Sequence, residues 1–267
     1  MSKPCLFLDA DGTIFRWQLF HEWIVEMVEL GVLPQAVLTK TEESLLAYRD
    51  RKGPFKKFVN ELVSSYQDEG RLSGVHVKDA ILAAREVIKK KGERIHVFPR
   101  ELIRAAKEEN YLTAVISGSP IEVIREFANK LGLDAAIGTV HPTDNGRFTG
   151  GKPEVWVLDK SRAVEKICQE HDIDLENSIA MGDSENDVPM LNSVGYKICF
   201  NPNEELFRHA KHERLPVVVE RKLIFCFDWN GEGSYVQADP GTVDWFLPRS
   251  MGRKLKKRLR RLHVAAF

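Results

Sequence analysis

Cys5-Leu6-Phe7-Leu8-Asp9-Ala10-Asp11-Gly12-Thr13 is the stretch on which the fold turns. Four apolar residues stop at Asp-Ala-Asp-Gly-Thr, the pattern of a short buried strand that runs straight into a turn. Further along, the same kind of strand alternates with helix-period segments. The pattern predicts helix at 102–107, 121–131, 162–171 and 187–192, and strand at 113–116, 135–140, 179–181 and 196–200. Short apolar strands alternating with helices imply βαβ units, hence an α/β fold with a parallel sheet covered by helices on both faces. Residues 17–91 break the alternation. Trp17, Phe20, Trp23, Ile24, Met27 and Val28, then Phe55, Phe58, Val59 and Leu62, then Ile81, Leu82, Ala84, Val87 and Ile88 recur at helical spacing with no strand among them, which predicts a helical insert. Asp144-Asn145-Gly146 between Thr139-Val140 and Phe148-Thr149 predicts a small hairpin with an Asn-Gly turn.

The 267 residues, 43% hydrophobic and 29% charged, exclude disordered and fibrous classes and suffice for one large domain or a core with a smaller insert. No apolar run approaches the roughly 18 residues of a membrane span, and the run at Cys5 is too short for a signal peptide, so a cytoplasmic protein is expected. Cys5, Cys168, Cys199 and Cys226 are widely spaced and mostly in apolar contexts, which suits small core residues in a reducing compartment. The net charge of zero hides an asymmetry. Arg249, Arg253, Lys254, Lys256, Lys257, Arg258, Arg260 and Arg261 face no acid after Asp244, leaving the first 248 residues with 31 basic against 39 acidic residues. Met251, Leu255, Leu259 and Leu262 add an apolar stripe to this cationic segment. Two fates are open for such a helix: an anionic membrane surface, or docking on the acidic body. No nucleic-acid partner is expected.

Three attractive motifs fail. Gly146 to Lys152 imitates a phosphate-binding loop, but Pro153 stands where a Ser or Thr would hold magnesium, and a hairpin precedes it in place of a buried strand. His21-Glu22 opens like a zinc-protease helix, yet Val25 stands at the second ligand position. Asp228, Asn230, Glu232, Gly233 and Asp239 imitate a calcium loop between strand-like segments, where a turn between strands is the better reading.

Four signals remain. Asp9 and Asp11, two apart at a strand end, point to one face and can meet one ligand. Two buried acids there repel each other unless a cation or a proton separates them, and magnesium prefers such oxygen ligands. Gly182-Asp183-Ser184-Glu185-Asn186-Asp187 follows another apolar strand. A capping box accounts for Ser184 and Asp187 but leaves Asp183 unexplained. In an open parallel sheet Asp183 would join Asp9 and Asp11 in the crevice at the carboxyl edge. Ser117-Gly118-Ser119-Pro120 lies at a third strand end; Ser119 satisfies the rules for a helix start, whereas Ser117 and the Gly118 amide make an anion site. Lys160, near the start of a helix, opposes the helix dipole and would ordinarily be a solvated surface residue.

Taken together, DADGT (9–13), SGS (117–119), Lys160 and GDSEND (182–187), in that order, resemble the haloacid-dehalogenase-like phosphohydrolases, most of all the branch containing phosphoserine phosphatase. The resemblance implies a Rossmann-like core over residues 1–15 and 93–219, a helical cap over 16–92, and a C-terminal extension over 220–267. It further implies a magnesium-dependent phosphatase acting on a small phosphorylated metabolite. Asp9 would be the nucleophile and Asp11 the acid/base, with Asp9, Asp11, Asp183 and Asp187 at the metal and Ser117, Gly118 and Lys160 on the phosphoryl group. Gln18 stands where phosphoserine phosphatase carries a glutamate for the substrate's amino group, a departure that bears on specificity. A phosphotransferase using the same aspartyl-phosphate, a receiver-like signalling domain and a surface-associated lipid-phosphate phosphatase remain open alternatives.

Overall fold

The structure, a computed structural model, describes residues 2–65, 70–221, 224–229, 235–238 and 247–261. The first strand, β1 (Cys5–Leu8), is followed by α1 (Leu19–Glu29), α2 (Ala36–Thr39), α3 (Glu42–Arg49), α4 (Phe55–Val63) and α5 (Val77–Lys91). The chain then returns through α6 (Val97–Glu108), β2 (Leu112–Pro120), α7 (Ile121–Leu131) and β3 (Ala135–Thr139). After the small hairpin β4 (Thr143–Asp144) and β5 (Arg147–Phe148) come α8 (Lys160–Glu170), β6 (Ile179–Gly182), α9 (Val188–Asn192), β7 (Tyr196–Phe200) and α10 (Glu204–Glu213). β8 (Val217–Glu220), β9 (Ile224–Trp229), β10 (Tyr235–Ala238) and α11 (Arg249–Arg261) complete the described elements. Between β1 and α6 the described residues form α1 to α5 and no named strand, in line with the helical periodicity of 17–91.

The strands form one sheet in the order β10-β9-β8-β7-β6-β1-β2-β3. Every pair from β3 to β8 is parallel, and β9 and β10 add an antiparallel edge. The α/β sheet expected from the alternation of elements is therefore the one found. The alternation of β1 side chains divides the core: Leu6 and Leu8 join one apolar cluster, Cys5 and Phe7 the other. The first face is covered by α1, α5, α6, α7 and α11, which contribute Trp23, Val87, Leu102, Phe127 and Leu255 among others. The second is covered by α8, α9 and α10, through Val164, Leu191 and Leu206. With both faces packed, strands of four or five residues can be wholly apolar.

The Asn-Gly hairpin forms as predicted, with Asn145 (φ 47°) and Gly146 (φ 73°) both in the left-handed region that a two-residue turn of this hand requires. Gly146 thus serves a turn, not a phosphate. Glu22 pairs with Lys91 and Arg94, and His21 accepts a hydrogen bond from Trp17 Nε1 (2.9 Å), so neither acts as a metal ligand here. Of the calcium-loop mimic, Asp228 lies inside β9, opposite Val236 of β10, while Asn230, Glu232, Gly233 and Asp239 lie outside the described residues.

One boundary is corrected, and one of the two fates open to the tail is found. Helix α6 begins at Val97, five residues before its predicted start. Pro99 is tolerated in a first turn, and the Val97 and Phe98 amides donate to the Glu220 carboxylate (2.8 and 2.7 Å). The cationic tail docks on the body. Met251 and Leu255 of α11 are fully buried and Leu259 nearly so in the cluster that also contains Leu102 and Ala106 of α6, while Lys254 pairs with Glu109 (2.6 Å) and Arg258 with Glu101 and Glu108. A stripe already packed inside the protein offers nothing to an anionic membrane surface; Leu262, its fourth member, lies outside the described residues. Among the described residues no helix is long and apolar enough to cross a membrane.

Candidate active site

The strand order reverses at β1, which pairs with β2 on one side and β6 on the other. At such a switch point the loops leaving the carboxyl ends diverge and open a crevice. Asp9 follows β1 directly, its N–H donating to Met181 O of β6 (3.0 Å), and Asp183 follows β6. Ser117 and Gly118 occupy the end of β2. Lys160 opens α8, whose cap is Asp159: its Oδ1 accepts from the Ser161 N–H (3.1 Å). The four sequence signals therefore converge, although they span 179 positions of chain from Asp9 to Asp187.

The Lys160 ammonium, almost wholly buried, lies 2.6 Å from Asp9 Oδ1 and 2.5 Å from Asp187 Oδ1. The dipole of α8 and the loss of water both oppose a positive charge at this point; two carboxylates hold it there. Asp187 Oδ2 accepts the Asp183 and Ser184 N–H groups (both 3.0 Å) and the Ser184 hydroxyl (3.2 Å), so the predicted capping box exists and also fixes the loop bearing Asp183. Asp9 Oδ2 is buried without a hydrogen-bond partner. One ligand oxygen from each of Asp9, Asp183 and Asp187 falls within 4.8 Å of the others, a donor set that fits a hard divalent cation. Two glycines make the approach possible. A Cβ on Gly12 (φ +85°) would stand 2.0 Å from Asp183 Oδ2, and one on Gly182 would stand 2.3 Å from Asp187 Cγ.

Burial raises the Asp9 pKa to about 7, with Lys160 pulling it down and Asp187 and Asp11 pushing it up. Burial also drives Asp183 well above the ordinary carboxylate range, helped by Asp9 and Asp187. For Lys160 burial disfavours the charge, but Asp187 and Asp9 outweigh it and its pKa is raised. The site is a cluster of acids short of positive charge, the situation a cation relieves.

Asp11 is held by a separate set of donors. Its Oδ1 accepts the Leu19 N–H at the start of α1 (2.5 Å), and its Oδ2 accepts the hydroxyls of Ser117 and Ser119 (both 2.7 Å). Burial raises its pKa against these three donors. Ser119 departs from its predicted role: the cap position of α7 is Pro120, and the Ser119 hydroxyl is engaged with Asp11 and with the Phe20 N–H (3.0 Å). The signal that suggested a cap, Ser before Pro, is local, whereas its actual partners lie about a hundred residues upstream. Gly118 is packed against Val157, and its carbonyl accepts the Thr139 hydroxyl (2.7 Å). Gln18, half-buried, occupies the N-cap position of α1 without a side-chain capping bond, directly before Leu19, whose N–H donates to Asp11 Oδ1.

The model of the haloacid dehalogenase-like hydrolases matches residues 6–192, more than half of the chain and every residue of the cluster. The chain belongs to that family. Within this hydrolase family it falls in the phosphoserine-phosphatase-like branch. A phosphoserine phosphatase of Methanocaldococcus jannaschii is 35% identical over 201 residues, 74% of this chain and 86% of that protein. One of Archaeoglobus fulgidus is 36% identical over 212 residues, 77% of this chain, which spans only about half (54%) of that longer relative. Among solved structures, a phospho-aspartyl intermediate analogue of phosphoserine phosphatase superposes with a TM-score of 0.51 at 25% identity, covering 83% of this chain and 95% of that one. A protein of unknown function from Bordetella pertussis reaches a TM-score of 0.65 at 18% identity over 81% of this chain and 98% of its own, a likeness of fold.

Proposed function

We propose that this protein is a magnesium-dependent phosphatase that hydrolyses a small phosphomonoester through an aspartyl-phosphate on Asp9. The observation that carries the reading is the Asp9 carboxylate: Oδ1 held by Lys160, Oδ2 buried and unpartnered at the edge of the crevice. An oriented carboxylate with one oxygen free is poised to attack phosphorus and divides a hard displacement into two easier ones. Asp9 Oδ2 forms the new bond to phosphorus as the bond to the leaving oxygen breaks. Asp11 gives that oxygen its proton, then takes one from the water that cleaves the acyl phosphate. Lys160 has three N–H donors, two of them on Asp9 and Asp187, so the third is available to a phosphoryl oxygen, joined by the Ser117 hydroxyl and the Gly118 amide. Magnesium held by Asp9, the Asp11 carbonyl, Asp183 and Asp187 would neutralise charge between the acids and the phosphoryl group.

Residues 16–92 act in this reading as a cap that excludes water and selects a small leaving group, inserted into a core of 1–15 and 93–219. Four free cysteines, three of them buried, fit a cytoplasmic protein. The relatives named above are phosphoserine phosphatases, which makes phosphoserine the second candidate. Gln18, however, offers no charge to an ammonium group, so another small phosphomonoester is the preferred substrate. The test is a screen of small phosphomonoesters, phosphoserine included, with magnesium and with and without acceptor alcohols. Release of inorganic phosphate supports the reading; transfer to alcohols only, or no turnover of any ester, overturns it. The highest kcat/KM for phosphoserine would overturn the Gln18 argument alone.

A further inference from the structure

We propose that Ser119 is the residue that positions Asp11 for proton transfer and couples it to the first helix of the insert. The inference rests on the phosphatase reading above and goes beyond it by naming a residue outside the nucleophile, the acid/base, the metal ligands and the phosphoryl-binding groups. A serine hydroxyl has one proton to give, and that of Ser119 points at Asp11 Oδ2 (2.7 Å). The same oxygen accepts the Phe20 N–H (3.0 Å), so the rotor is held from both sides. Ser119 is 2% exposed, so both bonds are made away from bulk solvent.

The other donors to Asp11 differ in kind. Ser117 is required by the phosphoryl group and must turn away from Asp11 Oδ2 when substrate enters; its oxygen is also tied to the Ser119 N–H (2.9 Å). The Leu19 N–H holds only Oδ1. Without Ser119, the departure of Ser117 would leave Oδ2 with no donor among the three and the carboxyl free to rotate about its Cβ–Cγ bond. With Ser119, Oδ2 stays engaged and Oδ1 keeps a lone-pair direction for the proton that passes to the leaving oxygen. The Leu19 and Phe20 N–H groups are consecutive donors in the first turn of α1, one on Asp11 and one on Ser119. Movement of α1 and the aim of Asp11 are therefore mechanically linked.

The experiment compares Ser119→Ala with the wild type on phenyl phosphate and 4-nitrophenyl phosphate, esters of similar size whose leaving groups differ in their need for a proton. Ser178→Ala serves as a control: Ser178 is equally buried and bonded to the Cys5 N–H and the Asp174 carbonyl, remote from Asp11 in the bonding pattern. For Ser119→Ala, kcat on phenyl phosphate is expected to fall about tenfold or more with KM within about twofold, while the nitrophenyl ester loses less than about threefold. Amide exchange at Phe20 should accelerate in the same variant, a readout that does not depend on turnover. Ser178→Ala should lose thermal stability without changing the ratio of the two esters. Equal losses on both esters, an unchanged ratio, or an equal change of ratio in Ser178→Ala would overturn the role of Ser119 while leaving the phosphatase reading intact. Wild-type protein that turns over neither of these esters nor any other in the screen would overturn that reading and this proposal with it.

Discussion

Lys160 Nζ lies 2.6 Å from Asp9 Oδ1 and leaves Oδ2 of the same carboxylate buried and unpartnered. One oxygen is thus fixed and the other presented, which makes the two atoms chemically unequal. Asp9→Asn keeps the shape but supplies a poor nucleophile, and the amide can offer a donor where phosphorus must approach. Activity should drop by about a thousandfold or more, with no phospho-enzyme trapped by acid quench. Retained turnover in that variant would remove Asp9 from the chemistry.

Loss of the lysine has a separate signature. Lys160→Met would strand Asp187, fully buried, beside Asp9 and Asp183 with no positive charge among them, and breaking such a pair costs about 3 kcal/mol. The metal-free variant should therefore unfold at lower denaturant, and divalent cation should restore more stability to it than to the wild type. Equal stabilisation of the two proteins by cation in urea titrations would show that Lys160 does not compensate those acids.

The pH dependence of cation binding follows from the same crowding. Asp9, raised to about 7 by burial, favours the metal-free fold when protonated. That contribution is complete below the unfolded value of about 3.9 and is lost as pH rises through about 7. Asp183 is shifted in the same direction. A cation must displace those protons, so its affinity should rise between about pH 6 and 8, and the thermal shift produced by magnesium should grow over that interval. A shift independent of pH in differential scanning fluorimetry would contradict the assignment of Asp9 as ligand, and full activity in excess chelator would contradict the metal itself.

The parts of the site legible in the sequence were those written in local code. CLFLDADGT and GDSEND each place an acid at the end of an apolar strand, and the parallel sheet brings those ends together by topology alone. Ser119 before Pro120 carries the local signal of a helix cap, while its hydrogen bonds go to Asp11 and Phe20 across the switch point. Glu220 carried no signal at all. It is one acid at a strand end, and only the folded chain shows it capping α6 through the Val97 and Phe98 amides. The amphipathic stripe of α11 was evident, but whether it meets lipid or protein depends on the complementary face of α6, which period alone does not identify.

Glu220 connects the end of β8 to both passages between the sheet and the insert. Its carboxylate accepts from Arg16 on the outgoing chain (3.3 Å) and from the His96, Val97 and Phe98 groups on the returning chain. Burial opposes the charge, yet the His96, Phe98 and Val97 hydrogen bonds prevail and its pKa is lowered. A depressed carboxylate contributes stability that is full above its unfolded value of about 4.3 and disappears as pH falls toward the folded one. Glu220→Gln should cost about 2 kcal/mol at pH 7, with the gap to the wild type narrowing in acid. A gap constant from pH 7 to 3 in chemical denaturation would exclude the carboxylate as its source.

Deletion of residues 249–267 tests what the tail does. Met251, Leu255 and Leu259 are buried against the first face of the sheet, and each apolar side chain of that size contributes about 1.5–3 kcal/mol as an upper bound. The ion pairs of Lys254 and Arg258 with Glu101, Glu108 and Glu109 are partly exposed and add little, so the apolar stripe carries the effect. Removal should lower the melting temperature by on the order of 10 °C and expose the facing surface of α6. Leu255→Asp in the full-length chain should produce a comparable loss, because it buries an unpaired charge at the centre of the same contact. The intact protein should show no salt-sensitive binding to vesicles rich in anionic lipid, since its stripe is already occupied. An unchanged melting temperature in both variants, together with vesicle binding that vanishes on deletion, would mean that α11 leaves the body in solution and that its docking on α6 is dispensable.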